Sequence, residues 1–306
     1  MKQLLPILFI LIVGLGVLVF LQRNINSLPK SQGKLSVTAS FYPMYFFASQ
    51  IGGNKAMVYT IIPASAEPHD YEPTTKDIAR IEQSDLLVLN GGAIESWGSK
   101  IKDELSGKGV DVIVAGDGVA TKMMIDSGRT IRDPHVWQDP ILAKEEVANI
   151  EKGFEKADRK DAPYFQSNAK VLDRKLDELY AQYKVGLDSC ALKDFVTSHA
   201  AFAYMAQRFG INQIAISGVS PDEEPSSQKL AEITSLVKKE GIKVIFFESL
   251  VSPKLSDTIA QETGAKTLVL DPLEGIVQKD AVKGANYFSV MRQNLQNLQI
   301  ALQCNK

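Results

Sequence analysis

LSVTASFYPMYFFASQIGGNKAMVYTII, residues 35–62, is the stretch that decides the fold. LSVTAS (35–40) is a short β-branched run and predicts a strand. YPMYFFASQIGG follows with an amphipathic pattern that Gly52 and Gly53 close, and it predicts a helix. MVYTII (57–62) predicts a second strand. A strand, a helix and a strand in succession make a parallel pair joined by a right-handed crossover. Outward from this unit the alternation continues. TTKDIARIEQS predicts a helix capped by Thr74 or Thr75, and DLLVLN (85–90) a third strand. A helix around 94–106 then leads to VDVIVAG (110–116), a fourth strand.

The pattern changes at residues 140–186, which hold no strand candidate. Leu172, Leu176, Leu179 and Tyr183 recur at spacings of four, three and four, one face of a helix. Pro163 divides or kinks this stretch, which reads either as a surface helix pair or as a long helix joining two lobes. The second half then repeats the first architecture, though not its sequence. DFVTS (194–198), INQIAIS (211–217), KVIFFES (243–249) and AKTLVLD (265–271) predict strands, and a helix from about 281 to 303 closes the chain. The fold class is α/β, with two lobes that each carry a four-stranded parallel sheet flanked by helices. The expected boundaries are 1–21 for an N-terminal segment, 22–34 for a linker, 35–139 for one lobe, 140–189 for connecting helices and 190–306 for the other lobe.

Composition narrows the function. The chain has 306 residues, which suggests roughly two domains at about 150 residues each. Lys plus Arg is 34 and Asp plus Glu is 36, a formal charge of −2, so no basic excess exists to neutralise phosphates and nucleic acid is not an expected partner. Residues 4–21, LLPILFILIVGLGVLVFL, form the one apolar run long enough to cross a bilayer, about 27 Å as a helix. No A-x-A pattern follows it and no Cys lies near its end, so it reads as an uncleaved anchor in preference to a cleaved signal. Either way the bulk of the chain is expected outside the cytoplasm, tethered or secreted.

The three histidines carry the chemistry. His69 lies beyond the second strand in PASAEPHDYEP, His135 beyond the fourth in RDPHVWQDP, and His199 ends the fifth in FVTSHAAFAY. In parallel α/β sheets ligands bind outside the carboxyl ends of the strands. Two such crevices facing each other would bring the three imidazoles together, with Asp271 of LVLDPLEG on the same rim. Three nitrogens and a carboxylate make a plausible four-ligand Zn²⁺ site in the cleft between lobes.

PHDYEP, DPHVWQDP, SHAAFAY, SGVSPDEEPS, VIFFES and LVLDPL, in this order over about residues 35–303, resemble the metal-binding solute-binding proteins of zinc and manganese ABC transporters. The resemblance implies a metal held between two α/β lobes joined by a long helix, with His69, His135, His199 and Asp271 as ligands. It implies capture of a divalent metal ion and delivery to an ABC permease, by a protein that is not an enzyme and is expected to be a monomer. His199 favours Zn²⁺, because manganese members often carry Glu there; Mn²⁺ is the alternative. The His-rich loop of many zinc members is absent, since residues 117–132 contain no His. The rival reading is a zinc hydrolase with His69, His135 and His199 on the metal and Glu248 as general base, although no HExxH is present. An adhesin, a name some members carry, has no repeat, stalk or sorting signal behind it.

Other residues admit two readings each. Glu248 is a strand-end acid that either orients a ligand histidine or caps the next helix. Glu67, Asp70, Asp133 and Asp139, which flank the first two histidines, are solvated loop charges or a negative field for a cation. Trp137, Phe202 and Tyr204 are expected to pack. Asp222, Glu223 and Glu224 form a solvated loop, with Ser226 or Ser227 capping a helix, or a permease-docking patch. Cys190 and Cys304 either form a disulfide that pins the C-terminus or remain buried thiols.

Overall fold

The computed structural model describes residues 33–126 and 129–305. The expected anchor and nearly all of the linker lie outside the described residues. Among the described residues no helix is long and apolar enough to cross a membrane.

In the first half β1 (Leu35–Ala39) leads into α1 (Tyr42–Gly52), followed by β2 (Ala56–Thr60), α2 (Thr75–Glu82), β3 (Leu86–Leu89), α3 (Gly98–Glu104) and β4 (Asp111–Val114). α1 has a proline in its first turn and stops at Gly53, whose φ is 51°. A Cβ on Gly53 would lie 2.5 Å from the Tyr164 hydroxyl, so this position needs glycine for both its backbone and its space. α2 starts at a capping box in which Thr74 and Asp77 exchange hydrogen bonds.

An antiparallel hairpin, β5 (Met123–Asp126) and β6 (Arg129–Arg132), comes next, where the sequence reading had only a loop. Its strands are four residues long and mixed in polarity, too short to show a period. α4 (Pro140–Ala157) and α5 (Ala162–Leu187) follow, with Pro163 in the first turn of α5. The break therefore precedes the proline, where its ring and missing N–H cost nothing.

The second half is β7 (Asp194–Thr197), α6 (Ala203–Phe209), β8 (Asn212–Ala215), α7 (Ser227–Glu240), β9 (Val244–Phe247), α8 (Lys254–Thr263) and β10 (Lys266–Val269). The closing helix is divided into a short α9 (Gln278–Ala281) and α10 (Tyr287–Ala301). Asn286 caps α10 in a capping box with Ser289.

The sheets run β2-β1-β3-β4 and β10-β9-β7-β8, all parallel. Both therefore share one topology, second-first-third-fourth, with the order reversing between the first and third strands. That reversal opens a crevice at the carboxyl ends of β1 and β3, and of β7 and β9.

One apolar cluster holds the two lobes together. It contains Val37, Leu87 and Val88 of the first sheet, Phe195 and Phe246 of the second, and Leu172, Leu176, Leu179 and Tyr183 of α5. α10 completes it. Tyr287 stacks on Phe46 of α1 at 5.7 Å and meets Phe47 edge-on at 5.0 Å, while the Tyr183 hydroxyl donates to the Met291 carbonyl. A smaller cluster of Val196, Ile233, Val237, Ile245 and Ile259 lies behind the second sheet. A disulfide joins Cys190, just before β7, to Cys304, just after α10.

Candidate metal centre

His69 and His199 are brought in by segments that leave the carboxyl side of a parallel sheet, and His135 by the segment that follows the β5–β6 hairpin. His199 follows β7, and Glu248 follows the adjacent β9, so the two face each other across the crevice of the second sheet. His199 Nδ1 lies 2.6 Å from Glu248 Oε1, which also accepts from the Ser198 hydroxyl at 2.5 Å. The Thr197 hydroxyl and the Gln213 amide both donate to the His199 carbonyl at 2.8 Å. His135 follows β6 and is held by Asp133, whose Oδ1 lies 3.0 Å from the His135 backbone nitrogen and 2.8 Å from Nδ1. His69 sits in the loop after β2, its backbone N–H donating to Glu67 at 3.2 Å. When these rings are neutral, the carboxylates on Nδ1 of His135 and His199 select the tautomer whose Nε2 lone pair points inward.

The Nε2 atoms converge on one carboxylate, Glu274. Its Oε1 lies 3.4 Å from His69, 3.1 Å from His135 and 3.2 Å from His199, and the two nitrogens of His69 and His135 are 3.4 Å apart. All four ligand atoms lie within 4.8 Å of one another, and the side chains are at most 4% exposed. Tetrahedral zinc with bonds of about 2.0–2.1 Å sets its ligand atoms about 3.3 Å apart. Four of the six separations, 3.1–3.4 Å, are close to that spacing.

Charge and burial oppose each other here. Burial disfavours a charged Glu274, yet the charge of His199 and the hydrogen bonds from the histidines hold its carboxyl well below its ordinary range. Burial likewise opposes protonation of His199, but Glu248 and Glu274 push it well above the usual imidazole value. His135 is raised against burial by Asp133 and Glu274, whereas burial prevails at His69 and lowers it.

Asp271, expected as the fourth ligand, does not join the cluster; the carboxylate that converges with the three histidines is that of Glu274. Asp271 follows β10 as the strand-end argument requires, but its Oδ1 accepts from the Leu273 backbone N–H at 2.8 Å. Leu273 has φ 62°, a left-handed turn that swings the chain round and delivers Glu274 instead. The second acid in LVLDPLEG was visible in the sequence, but the turn that aims it was not.

Asp133 and Asp139 are neither solvated nor a diffuse field, because both are buried. Asp133 orients His135; Asp139 caps α4 and pairs with Arg208 of α6 at 2.7 Å. Burial and the nearby Glu274 push Glu67 up to about 9, which makes it a neutral group and removes it from any attracting field at neutral pH. Asp70 shares a hydrogen bond with Asp222, which that contact raises. Trp137 is fully buried and its Nε1 donates to the Pro272 carbonyl at 2.7 Å. Tyr204 is buried and its hydroxyl donates to the Asp133 carbonyl at 3.1 Å. Phe202 is buried, and Ser226 caps α7. Glu248 is committed to His199 and Ser198, and Glu274 fills the position a catalytic zinc leaves open for water, so the hydrolase arrangement is not the one present.

The family model of the zinc-uptake complex component A, periplasmic (ZnuA), matches residues 37–301. This chain belongs to the ZnuA family. It is 39% identical over 280 residues to the high-affinity zinc uptake system protein ZnuA of Bacillus subtilis, covering 88% of each. It is 39% identical over 290 residues to the zinc-binding protein AdcA of Streptococcus pyogenes, of which it spans 56%. Among solved structures it is similar to the Zn(II)-bound ZnuA-like domain of Streptococcus pneumoniae AdcA. The two share 40% identity at a TM-score of 0.77, covering 88% of this chain and 99% of that one. The ZnuA-like part of AdcA is thus the part this chain resembles.

Proposed function

We propose that this ZnuA-family chain captures a divalent transition metal outside the cytoplasm, Zn²⁺ in preference to Mn²⁺, and delivers it to an ABC permease. The observation that carries the reading is the buried convergence of His69, His135, His199 and Glu274. Three imidazole nitrogens and one carboxylate suit zinc, whereas manganese favours oxygen-rich sites. The four groups supply a complete shell with no open position, which suits holding an ion and not reacting on it. The relatives named for zinc uptake and zinc binding support the same cargo. Residues 4–21 would keep the chain at the membrane as an anchor, or be removed from a secreted form; a monomer is sufficient, since one chain contributes all four groups.

The test is a thermal shift of metal-stripped residues 35–306 titrated separately with Zn²⁺ and Mn²⁺. A ligand at about 100 times its Kd adds about 2.7 kcal/mol, which is several degrees in a protein of this size. The expected outcome is a larger shift with zinc than with manganese, abolished by His135→Ala. A larger manganese shift reverses the metal, and no shift with either removes the function.

A further inference from the structure

The turn that carries Glu274 is gripped from three sides. The Asn294 amide, on α10, accepts from the Asp271 backbone N–H at 2.9 Å and donates to the Asp271 carbonyl at 2.7 Å. The Asp271 carboxylate accepts from the Leu273 N–H at 2.8 Å. From the first lobe, the Trp137 indole and the Gln138 amide both donate to the Pro272 carbonyl. Between these grips lies Leu273, fully buried at φ 62°. A branched side chain rarely holds that conformation unless its surroundings impose it. Neither Asp271 nor Asn294 is among the four converging side chains.

We infer that Asp271 and Asn294 are positioning residues for the metal site: they lock Leu273 in its left-handed turn and so fix where the Glu274 carboxylate stands. This deepens the proposed function and rests on it. The role is distinct from ligation. A ligand needs the negative oxygen of Asp271, whereas the turn needs only an oxygen that accepts from Leu273 N–H, and an asparagine side chain has one. Partners that orient a ligand are worth about 10–100-fold in metal affinity.

The experiment is a competition titration of the metal-stripped protein with a chromophoric zinc chelator, for wild type, Asp271→Ala, Asp271→Asn, Asn294→Ala, Glu274→Gln and His135→Ala. Co²⁺-substituted absorption spectra report the ligand geometry, and melting of the metal-free proteins reports folding. Asp271→Ala and Asn294→Ala are expected to weaken zinc about 10–100-fold and to change the Co²⁺ ligand-field bands. Asp271→Asn is expected to stay within about threefold of wild type, with its spectrum kept. Should Asp271→Ala unfold, Asn294→Ala, which leaves both carboxylates in place, decides. If Asp271→Asn falls as far as Glu274→Gln, Asp271 acts through its charge and the inference is overturned. Wild-type affinity in Asn294→Ala also overturns it. If wild type and His135→Ala bind zinc equally, the metal reading itself fails first, and that result is separate from any ranking among the turn variants.

Discussion

Glu146 sits on the buried face of α4 with neither carboxylate oxygen exposed and, among the described residues, no hydrogen-bond partner for either. Its neighbour Glu95 is differently placed. The Glu95 oxygens accept from the backbone N–H groups of Asn90 and Gly91 at 2.9 and 2.7 Å, while the Asn90 amide donates to the carbonyl of Pro134, beside His135. Burial still raises Glu95 to about 7. Burial, together with the charge of Glu95, raises Glu146 well above the ordinary carboxylate value. A carboxyl whose folded pKa is raised gives stability that is complete below its unfolded value, near 4.5, and is lost as pH rises. Each unit of displacement is worth about 1.4 kcal/mol, or about 3–6 °C here. Glutamine has nearly the same shape and cannot ionise. Glu146→Gln should therefore flatten the decline in melting temperature of the metal-free protein between about pH 5 and 8 by several degrees. Parallel declines in variant and wild type would show that Glu146 reaches a partner or solvent.

Elements were legible where local pattern and burial agree. β1, β3, β7 and β9 are short runs buried between layers of helices, so their β-branched and aliphatic residues announce them. Leu172, Leu176, Leu179 and Tyr183 repeat at helical spacing because α5 turns that face to both lobes. His69 and His199 could be collected into one site because the parallel topology fixes which end of a sheet they leave, whereas His135 reaches it by way of the unforeseen hairpin. Glu274 could not, because its place depends on a left-handed leucine and on Asn294, an amide from another element. The hairpin β5–β6 likewise escaped, since four-residue strands have no period to read. The disulfide ties the amino end of β7 to the end of α10, across 114 residues, on the side of the sheet away from the ligands. Closing a loop of that order limits the unfolded chain by up to about 4.7 kcal/mol, with measured values nearer 2–5. Cys190→Ser with Cys304→Ser should lower the melting temperature by about 5–15 °C. Zinc affinity should stay within about threefold, because the bridge lies at the opposite end of β7 from His199. A loss of zinc affinity larger than tenfold would mean that α10 transmits the bridge to the site.

At the scale of the whole molecule, the two lobes are joined behind the site and meet again through it. α5, α10 and α1 make one apolar cluster at the back, while Trp137 and Arg208 link the lobes close to the ligands. Wide rotation would have to open that cluster, so exchange of the ion falls to the site itself, and there it competes with protons. In the metal-free molecule Glu274 is held as a carboxylate and His69 as a neutral ring, so neither has a proton to give up near pH 7. Against burial, His199 is raised well above the usual imidazole value by Glu248 and Glu274, and His135 is raised in the same direction by Asp133 and Glu274. Their contribution to the stability of the metal-free fold is complete below about pH 6.5 and is lost as pH rises through their folded values. Zinc needs the same nitrogens bare, so its contribution grows over the interval in which theirs fades. Between pH 6 and 8 the zinc Kd should tighten by about tenfold per unit for each histidine still protonated, with about one to two protons released on binding at pH 7. The thermal shift produced by a fixed free zinc concentration should widen accordingly. Calorimetry in buffers of different ionisation enthalpy counts those protons. Release of none, with an affinity flat from pH 6 to 8, would mean that Glu274 and Glu248 do not charge the histidines, and the proton-held form of the empty site would have to be abandoned.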